Sequence, residues 1–506
     1  MMKRSLKLTE KFYRDPYLGI TAFISGIILP FAFAPFGCYL LAEFSLILLL
    51  FIWSLSSTKM AFWYGGLFGI SFFGYGIHWL YISIHHYGGI SSLFAGLVVA
   101  LLVIFLAFYY ATFGYLLNSF FPGISLIKFL LVFPISFALL EWIRGWFFSG
   151  FPWLFLGYSH IDSPLRGWAT IFGIYGVSLV IAETAGASFC ILLFRNRKKL
   201  VISLVLLIVL LWNLGWIFSR INWTQPIGEP IQVSLIQGNF SQKQKWQKDE
   251  LINILNTYAF LTAKNFSSKI IVWPETAIPA YPEDIQSYLK SLSLMAKRNG
   301  IAILSGIPLK EKNHSYNGII TLGVDENIKY YKRHLVPFGE YLPFRFILSR
   351  FHRFFIIPMS DFINGSNDQP NFVVHNIVFA PFICYEIAYP YLVLNYIPKA
   401  GMLLTVCDDS WFGQSIASFQ HLEIARMRSL EVGRYQLFAA NTGITAIINH
   451  KGEIVEKAPE FKQSVLNANV QNFVGKTPWV VFGKYLWFLL SLLGLWWSWI
   501  KRKSSI

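Results

Sequence analysis

The stretch NIVFAPFICYE, residues 376–386, decides the fold of half the chain. An apolar run from Ile377 to Ile383, rich in β-branched and aromatic residues, reads as a buried strand. It stops at a thiol, Cys384, with Tyr385 and Glu386 directly behind. AGMLLTVCDDS (400–410) reads as a second strand, with a helical stretch between the two. Upstream, PIQVSLIQGNF (230–240), KIIVWPE (269–275) and GIAILSGIP (300–308) have the same character. DIQSYLKSLSLMAKRNG (284–300) has helical periodicity and ends on Gly. Strands alternating with helices argue for an α/β domain over residues 219–478.

The sequence on either side reads differently. Charged residues make up only 13% of the 506 residues and hydrophobic ones 55%. Ordinary soluble domains carry about 25% charged residues, so much of this chain belongs in lipid. Apolar runs at 17–35, 40–56, 60–82, 90–113, 127–143, 166–194, 200–218 and 479–500 predict eight transmembrane helices. Seven belong to a membrane domain, 1–218, and the last to a C-terminal segment, 479–506. No cleavable signal peptide is visible, because the first run lacks a small-residue cleavage site.

Lysine and arginine placement sets the orientation. Lys3, Arg4, Lys7, Lys11 and Arg14 open the chain, and Lys501, Arg502 and Lys503 close it. Lys59 and the Arg195–Lys199 cluster lie in loops between. With eight spans all of these fall on the cytoplasmic side, which puts 219–478 on the opposite side. The net charge of +16 follows from the same bias. No basic stripe or basic helix points to nucleic acid. The four cysteines, Cys38, Cys190, Cys384 and Cys407, are spaced neither for zinc nor for a disulfide framework. No cofactor is expected. Glu141 and Arg144, near the end of a span, can pair at i, i+3 and are read as structural.

Three residues in the α/β region carry chemistry at strand ends, where a rigid element gives way to a loop. Glu275 follows IIVWP, Lys332 sits in KYYKRHLVPFGE, and Cys384 closes FAPFIC. A thiol of pKa about 8.5 needs help to become a thiolate. A carboxylate can take its proton, and an ammonium can stabilise the thiolate and a later oxyanion. Each residue alone has an ordinary reading: packing for the thiol, a cap for Glu275, a solvated charge for Lys332.

Together they are specific. WPETAIP, KRHLVPFGEYLP and FICYE, in that order, resemble the carbon–nitrogen hydrolase (nitrilase) superfamily. With the apolar spans, and with IQGN, SYNGIITLG, DDSWFG, QHLEIARMRSLEVGR and NTGITA, nearly the whole chain resembles its membrane-bound branch, the apolipoprotein N-acyltransferases. The resemblance implies an αββα nitrilase-like sandwich outside the membrane. It implies Glu275 as general base, Lys332 as oxyanion stabiliser and Cys384 as nucleophile. It also implies Glu340 as a carboxylate positioning the lysine, Tyr385 and Glu386 lining the site, and Trp246 near the substrate entrance. Phe338 and Tyr389 are placed beside them as substrate-binding residues.

The implied reaction is ping-pong. A phospholipid, typically phosphatidylethanolamine, acylates Cys384. The α-amino group of a diacylglyceryl-cysteine on an apolipoprotein then takes the chain, in the bacterial inner membrane with the catalytic domain in the periplasm. A monomer is expected. The resemblance departs at Cys407, an oxidation risk if it lies near Cys384. The competing reading is a membrane-tethered amidase or nitrilase with water as acceptor, against which the number of spans argues. The stretch 338–362, dense in aromatics with Arg345, Arg350 and Arg353 between them, is expected to be a lipid-facing lid.

Overall fold

The computed structural model describes residues 16–324, 328–341, 362–397, 399–483 and 485–503. The chain forms two compact units. One contains residues 1–78, 93–221 and 481–506; the other contains 79–92 and 222–480.

The first unit is helical. Ser92–Phe120, Pro164–Leu193 and Lys198–Arg220 are long and apolar enough to cross a membrane, and a fourth crossing results if Thr58–Gly76 and Leu80–Tyr87 count as one broken span. Among the described residues this is fewer than the eight expected. The expected run at 60–82 is interrupted after Gly76. The one at 127–143 is a short helix, Phe133–Arg144, entered through a wider turn at Lys128–Val132. Leu40–Leu55 has 16 residues, about 24 Å of helix against a hydrocarbon core of about 30 Å. Pro16–Ala32 and Leu486–Lys501 are likewise short apolar helices. Hydropathy counts apolar residues but does not register such breaks.

Small residues set the helix spacing inside this unit, as expected where lipid offers no hydrophobic drive. A Cβ on Gly65 would lie 2.4 Å from the Tyr110 carbonyl, and one on Gly69 would lie 2.6 Å from Ala107 Cα. The buried pair Glu141 and Arg144 is held by backbone groups close by. Arg144 donates to the carbonyls of Phe151, Trp153 and Leu154 at 2.6–3.2 Å, and Glu141 accepts the Leu156 N–H at 2.6 Å. The two side chains are 3.8 Å apart. Together they shape the loop after the Phe133–Arg144 helix.

The second unit is built on two six-stranded sheets. Its strands are β1 (Thr224–Gln237), β2 (Ile270–Trp273), β3 (Ala302–Glu311), β4 (His314–Leu322), β5 (Lys329–Tyr331), β6 (Phe372–Val374), β7 (Ile377–Ile383), β8 (Met402–Cys407), β9 (Tyr435–Ala440), β10 (Ala446–Ile448), β11 (Ile454–Lys457) and β12 (Ser464–Gly475). The sheet orders are β12-β1-β2-β3-β4-β5 and β11-β10-β9-β8-β7-β6. In each, a parallel centre, β1-β2-β3 or β7-β8-β9, is flanked by antiparallel strands. Parallel neighbours need a crossover. Leu251–Ala263 and Gln286–Arg298 serve the first sheet, Pro390–Tyr396 and Ala417–Val432 the second.

Side-chain alternation settles the layers. Ile270 and Val272 of β2 meet Phe379 of β7 and Met402 and Leu404 of β8 in one core between the sheets. Ile271 and Trp273 point the other way, onto Ile254, Tyr258, Leu292 and Ala296 of the first sheet's helices. On the far side Ala417–Val432 covers the second sheet, with Ser429 bonded to Gln436 of β9 at 2.9 Å. The result is the αββα sandwich expected from the sequence. One piece comes from far away in the chain. Trp79 Nε1 donates to Gln420 Oε1 at 3.1 Å and packs its ring 4.6 Å from Phe412, and Ser83 Oγ donates to the Trp411 carbonyl at 2.7 Å.

Gly306 in β3 lies where β2 ends. A Cβ there would stand 2.5 Å from the Pro274 carbonyl and 2.6 Å from Glu275 Cα, both backbone atoms with little room to yield. Gly306→Ala is therefore expected to cost about 1–3 kcal/mol of stability by overpacking and to displace Glu275. Lower thermal-aggregation temperature in detergent together with lost activity is the expected result. Gly96→Ala, whose Cβ meets nothing within 4 Å, is the control that should change neither.

Candidate active site

Cys384 stands where β7 ends and the chain turns through Cys384–Ala388. Its φ is +53°, in the left-handed region that costs a side-chain-bearing residue roughly 1–2 kcal/mol. Glu386 holds the turn. Fully buried, its carboxylate accepts the Ile383 N–H at 2.7 Å, those of Arg333 and His334 at 2.7 and 3.1 Å, and the Tyr330 hydroxyl at 2.9 Å. It fastens the end of β7 to the end of β5. Glu386 therefore holds the backbone that carries Cys384 and Lys332.

Lys332 follows β5. Its N–H donates to the Asn317 carbonyl at 2.8 Å, and its Nζ lies 2.9 Å from Glu340 Oε1 and 3.8 Å from Glu275 Oε1. Burial opposes the charge, but Glu340 and Glu275 outweigh it and hold the pKa above the ordinary lysine range. Glu340, in the Val336–Tyr341 turn, also accepts the Val336 N–H at 2.8 Å. Glu340 is thus in direct contact with Lys332.

Glu275 follows β2 through Pro274. Its Oε2 accepts the Asp408 N–H at 3.0 Å and its Oε1 accepts from Asn317 Nδ2 at 2.6 Å. Burial raises its pKa; Lys332 lowers it, and Glu340 and Asp408 raise it. The thiol of Cys384 is pushed well up, first by burial and then by Glu275, against the pull of Lys332. At neutral pH such a sulfur rests as the thiol, so a base has to remove its proton as it attacks.

Asn317 was not singled out by sequence, though it lies inside SYNGIITLG. It is buried in β4 and its amide donates to Glu275 at 2.6 Å and Glu340 at 2.8 Å, locking the two carboxylates on either side of Lys332. A carboxamide flanked by the apolar run GIITL was the available signal.

The supporting residues divide. Trp246 is 41% exposed and Phe338 48% exposed, with Phe338 at φ +62° and its N–H on the Tyr341 carbonyl. Tyr389 is buried, its ring 3.9 Å from His334 and 5.1 Å from Tyr385. Cys407 is buried at the end of β8. Burial raises its thiol pKa, and Asp409 and Cys384 add to the shift, so the two sulfurs share one electrostatic neighbourhood. Most of the expected lid, 342–361, lies outside the described residues.

Comparison with known proteins covers both units of the chain. The family described as apolipoprotein N-acyltransferase N-terminal domain matches residues 25–187, and carbon-nitrogen hydrolase matches 232–478. A Coxiella burnetii protein named apolipoprotein N-acyltransferase is 44% identical over 92% of this chain and 96% of its own length. Proteins of the same name from Methylococcus capsulatus and Vibrio parahaemolyticus are 40% and 38% identical, over 92% and 94% of this chain and 92% and 95% of theirs. The similarity spans both the helical unit and the sandwich, and on it this chain belongs to the apolipoprotein N-acyltransferase family.

Proposed function

We propose that this chain moves an acyl chain from a phospholipid, by way of a thioester on Cys384, to the α-amino group of the N-terminal diacylglyceryl-cysteine of an apolipoprotein. The observation that carries the chemistry is the buried Lys332 ammonium, 2.9 Å from Glu340 and 3.8 Å from Glu275, beside a nucleophile at a strand end. A hydrolase acting on a small soluble amide needs the sandwich but not the helical unit. That unit matches the N-terminal domain family over 25–187, and the water-acceptor alternative is set aside on that ground.

The steps balance as follows. Glu275 takes the Cys384 proton as sulfur attacks the donor's ester carbonyl. The new alkoxide faces Lys332, and an ammonium in a water-poor site stabilises developing negative charge better than water does. Collapse breaks the acyl C–O bond, and the lysophospholipid leaves as an alcohol with the proton from Glu275. In the second half the free amine attacks the thioester carbonyl and Glu275 accepts the amine proton. The C–S bond breaks, the proton returns to sulfur, and an amide remains. Trp246, Phe338, Tyr385 and Tyr389 are assigned to the acyl and lipid portions of the two substrates.

Phosphatidylethanolamine is the proposed donor and the bacterial inner membrane the proposed location. In this reading a membrane domain of seven crossings occupies 1–218, a periplasmic catalytic domain 219–478, and an eighth crossing 479–506. The one-sided lysine and arginine clusters support that arrangement. A monomer suffices, since one chain supplies every assigned residue.

Four outcomes test this reading. With labelled phospholipid, intact-mass spectrometry should find a thioester on the wild type and none on Cys384→Ser. Glu275→Gln should slow acylation about 10²–10⁴-fold and Lys332→Ala about 10²–10³-fold, both proteins still inserting in membranes. Wild-type acylation by either would remove its assigned role. The acylation rate should also fall as pH drops through the raised pKa of Glu275, at a pH above the ordinary carboxylate value of about 4.3. The sign follows because protonated Glu275 has no lone pair for the thiol proton; a flat profile down to that value would count against it. For orientation, Gln225→Cys in a chain lacking Cys38 and Cys384 should react with a membrane-impermeant maleimide in intact cells whose outer membrane has been permeabilised. Reaction only after lysis would reverse the topology.

A further inference from the structure

Bonded to the main-chain carbonyl of Glu275 lies a second buried lysine that the mechanism above does not use. The short helix Gln242–Lys245 is fixed by a reciprocal cap. Gln244 N–H donates to Ser241 Oγ at 3.3 Å, and Ser241 N–H donates to Gln244 Oε1 at 3.0 Å. Gln242 and Lys245, three residues apart, therefore share a face, and both are buried. Lys245 Nζ donates to Asp408 Oδ2 at 2.6 Å and to the backbone carbonyl of Glu275 at 3.1 Å. Gln242 Nε2 donates to the same Asp408 oxygen at 2.7 Å and to Ser410 Oγ at 2.9 Å. The other Asp408 oxygen accepts from Asn441 Nδ2 at 3.0 Å and Ser410 Oγ at 2.6 Å. The backbone N–H of Asp408 is the one that Glu275 Oε2 accepts at 3.0 Å. At the outer end, Trp246 Nε1 donates to Gln242 Oε1 at 3.2 Å.

A buried ammonium is tolerated only when paired. Here it is paired with the one carboxylate whose backbone orients Glu275, and it also grips the Glu275 main chain. We propose that Lys245 is a positioning residue for Glu275: its charge offsets Asp408, and with Gln242 it ties the turn that carries Trp246 to the general base. The inference rests on Glu275 being that base. The groups facing Glu275 are Lys332, Glu340, Asp408, the thiols of Cys384 and Cys407, and the Asn317 amide. Those facing Asp408 are Lys245, Gln242, Ser410, Asn441, Cys407 and the hydroxyls of Tyr87 and Tyr258. Among them Lys245 is the cation in direct contact with Asp408. Asp408 favours the protonated form of Glu275, so removing the charge that offsets it should strengthen that preference, and removing Asp408 should weaken it.

Charge removal thus has opposite signs at the two ends of one ion pair, which loss of packing does not. The readout is the rate of thioester formation on Cys384 from labelled phospholipid in the full-length protein, followed by intact-mass spectrometry across pH. Lys245→Met should move the acid limb of that profile to higher pH by roughly one unit, and Asp408→Asn should move it lower, the size expected of a neighbouring charge. Lys245→Arg should keep it near wild type, and the double variant K245M/D408N should fall between the two singles. If Lys245→Met does not accumulate in membranes, the comparison is D408N against K245M/D408N, and the double must lie at higher pH. Limbs that stay put, or singles that move the same way, overturn the proposal. Glu275→Gln is run alongside. It should slow thioester formation at every pH, and if it keeps the wild-type rate and limb, it is the base assignment that fails and not the role of Lys245.

Discussion

The burial of one ammonium orders this active site. A lysine out of water needs partners for its charge, and Lys332 has two carboxylates, Glu340 at 2.9 Å and Glu275 at 3.8 Å. Those carboxylates repel each other, and Asn317 relieves the repulsion by donating to both. Glu275 is then held from its other oxygen by the Asp408 backbone. Cys384 enters a field already set by these charges. The strain at its φ of +53° is borne by Glu386, which ties the same two strand ends together. Each residue is in place because its neighbour would be too costly to bury without it, so the constellation forms as a unit.

This mutual dependence explains what the sequence could and could not reveal. The strands of the sandwich were legible because alternation writes itself into IIVW, MLLTVC and NIVFAPFI; Ile270 and Val272 face one core, Ile271 and Trp273 the other. The grouping of Glu275, Lys332 and Cys384 was legible because three strand-end motifs occur in one order. Glu386 was noticed, but its work on backbone N–H groups was not, since a carboxylate next to a nucleophile looks the same whether it points into the site or away from it. Asn317, Gln242, Lys245 and Asp408 stayed hidden because their meaning lies in partners far along the chain. Lys245 and Asp408 are separated by 163 positions, and Lys245 stands in QKQK, which reads as a solvated surface.

The helical unit was legible in kind and less so in number. Composition places it in lipid, and the long helices at 92–120, 164–193 and 198–220 lie close to three expected runs. The shorter helices arise where breaks divide an apolar run without changing its average hydropathy. The Lys128–Val132 turn is an example: Lys128, in the middle of an apolar stretch, bonds inward to Asn118 at 2.7 Å.

The segment 79–92 sets a constraint on how the molecule is made. Its bonds reach residues synthesised much later: Trp79 and Gln420 are 341 positions apart, Ser83 and Trp411 are 328. Closing a flexible loop of that length costs about 5 kcal/mol in chain entropy, which these contacts alone do not offset. The early segment must therefore wait, emerging from the ribosome hundreds of residues before the turn it docks on, and it can be seated only after residues 411–420 have been made. The sandwich is consequently not a module that can be lifted from its host by cutting once before β1. An excised copy would lack the wall supplied by Trp79, Ser83 and Tyr87 behind Trp411 and Phe412. A soluble relative derived from such a chain would have to replace that wall with residues of its own.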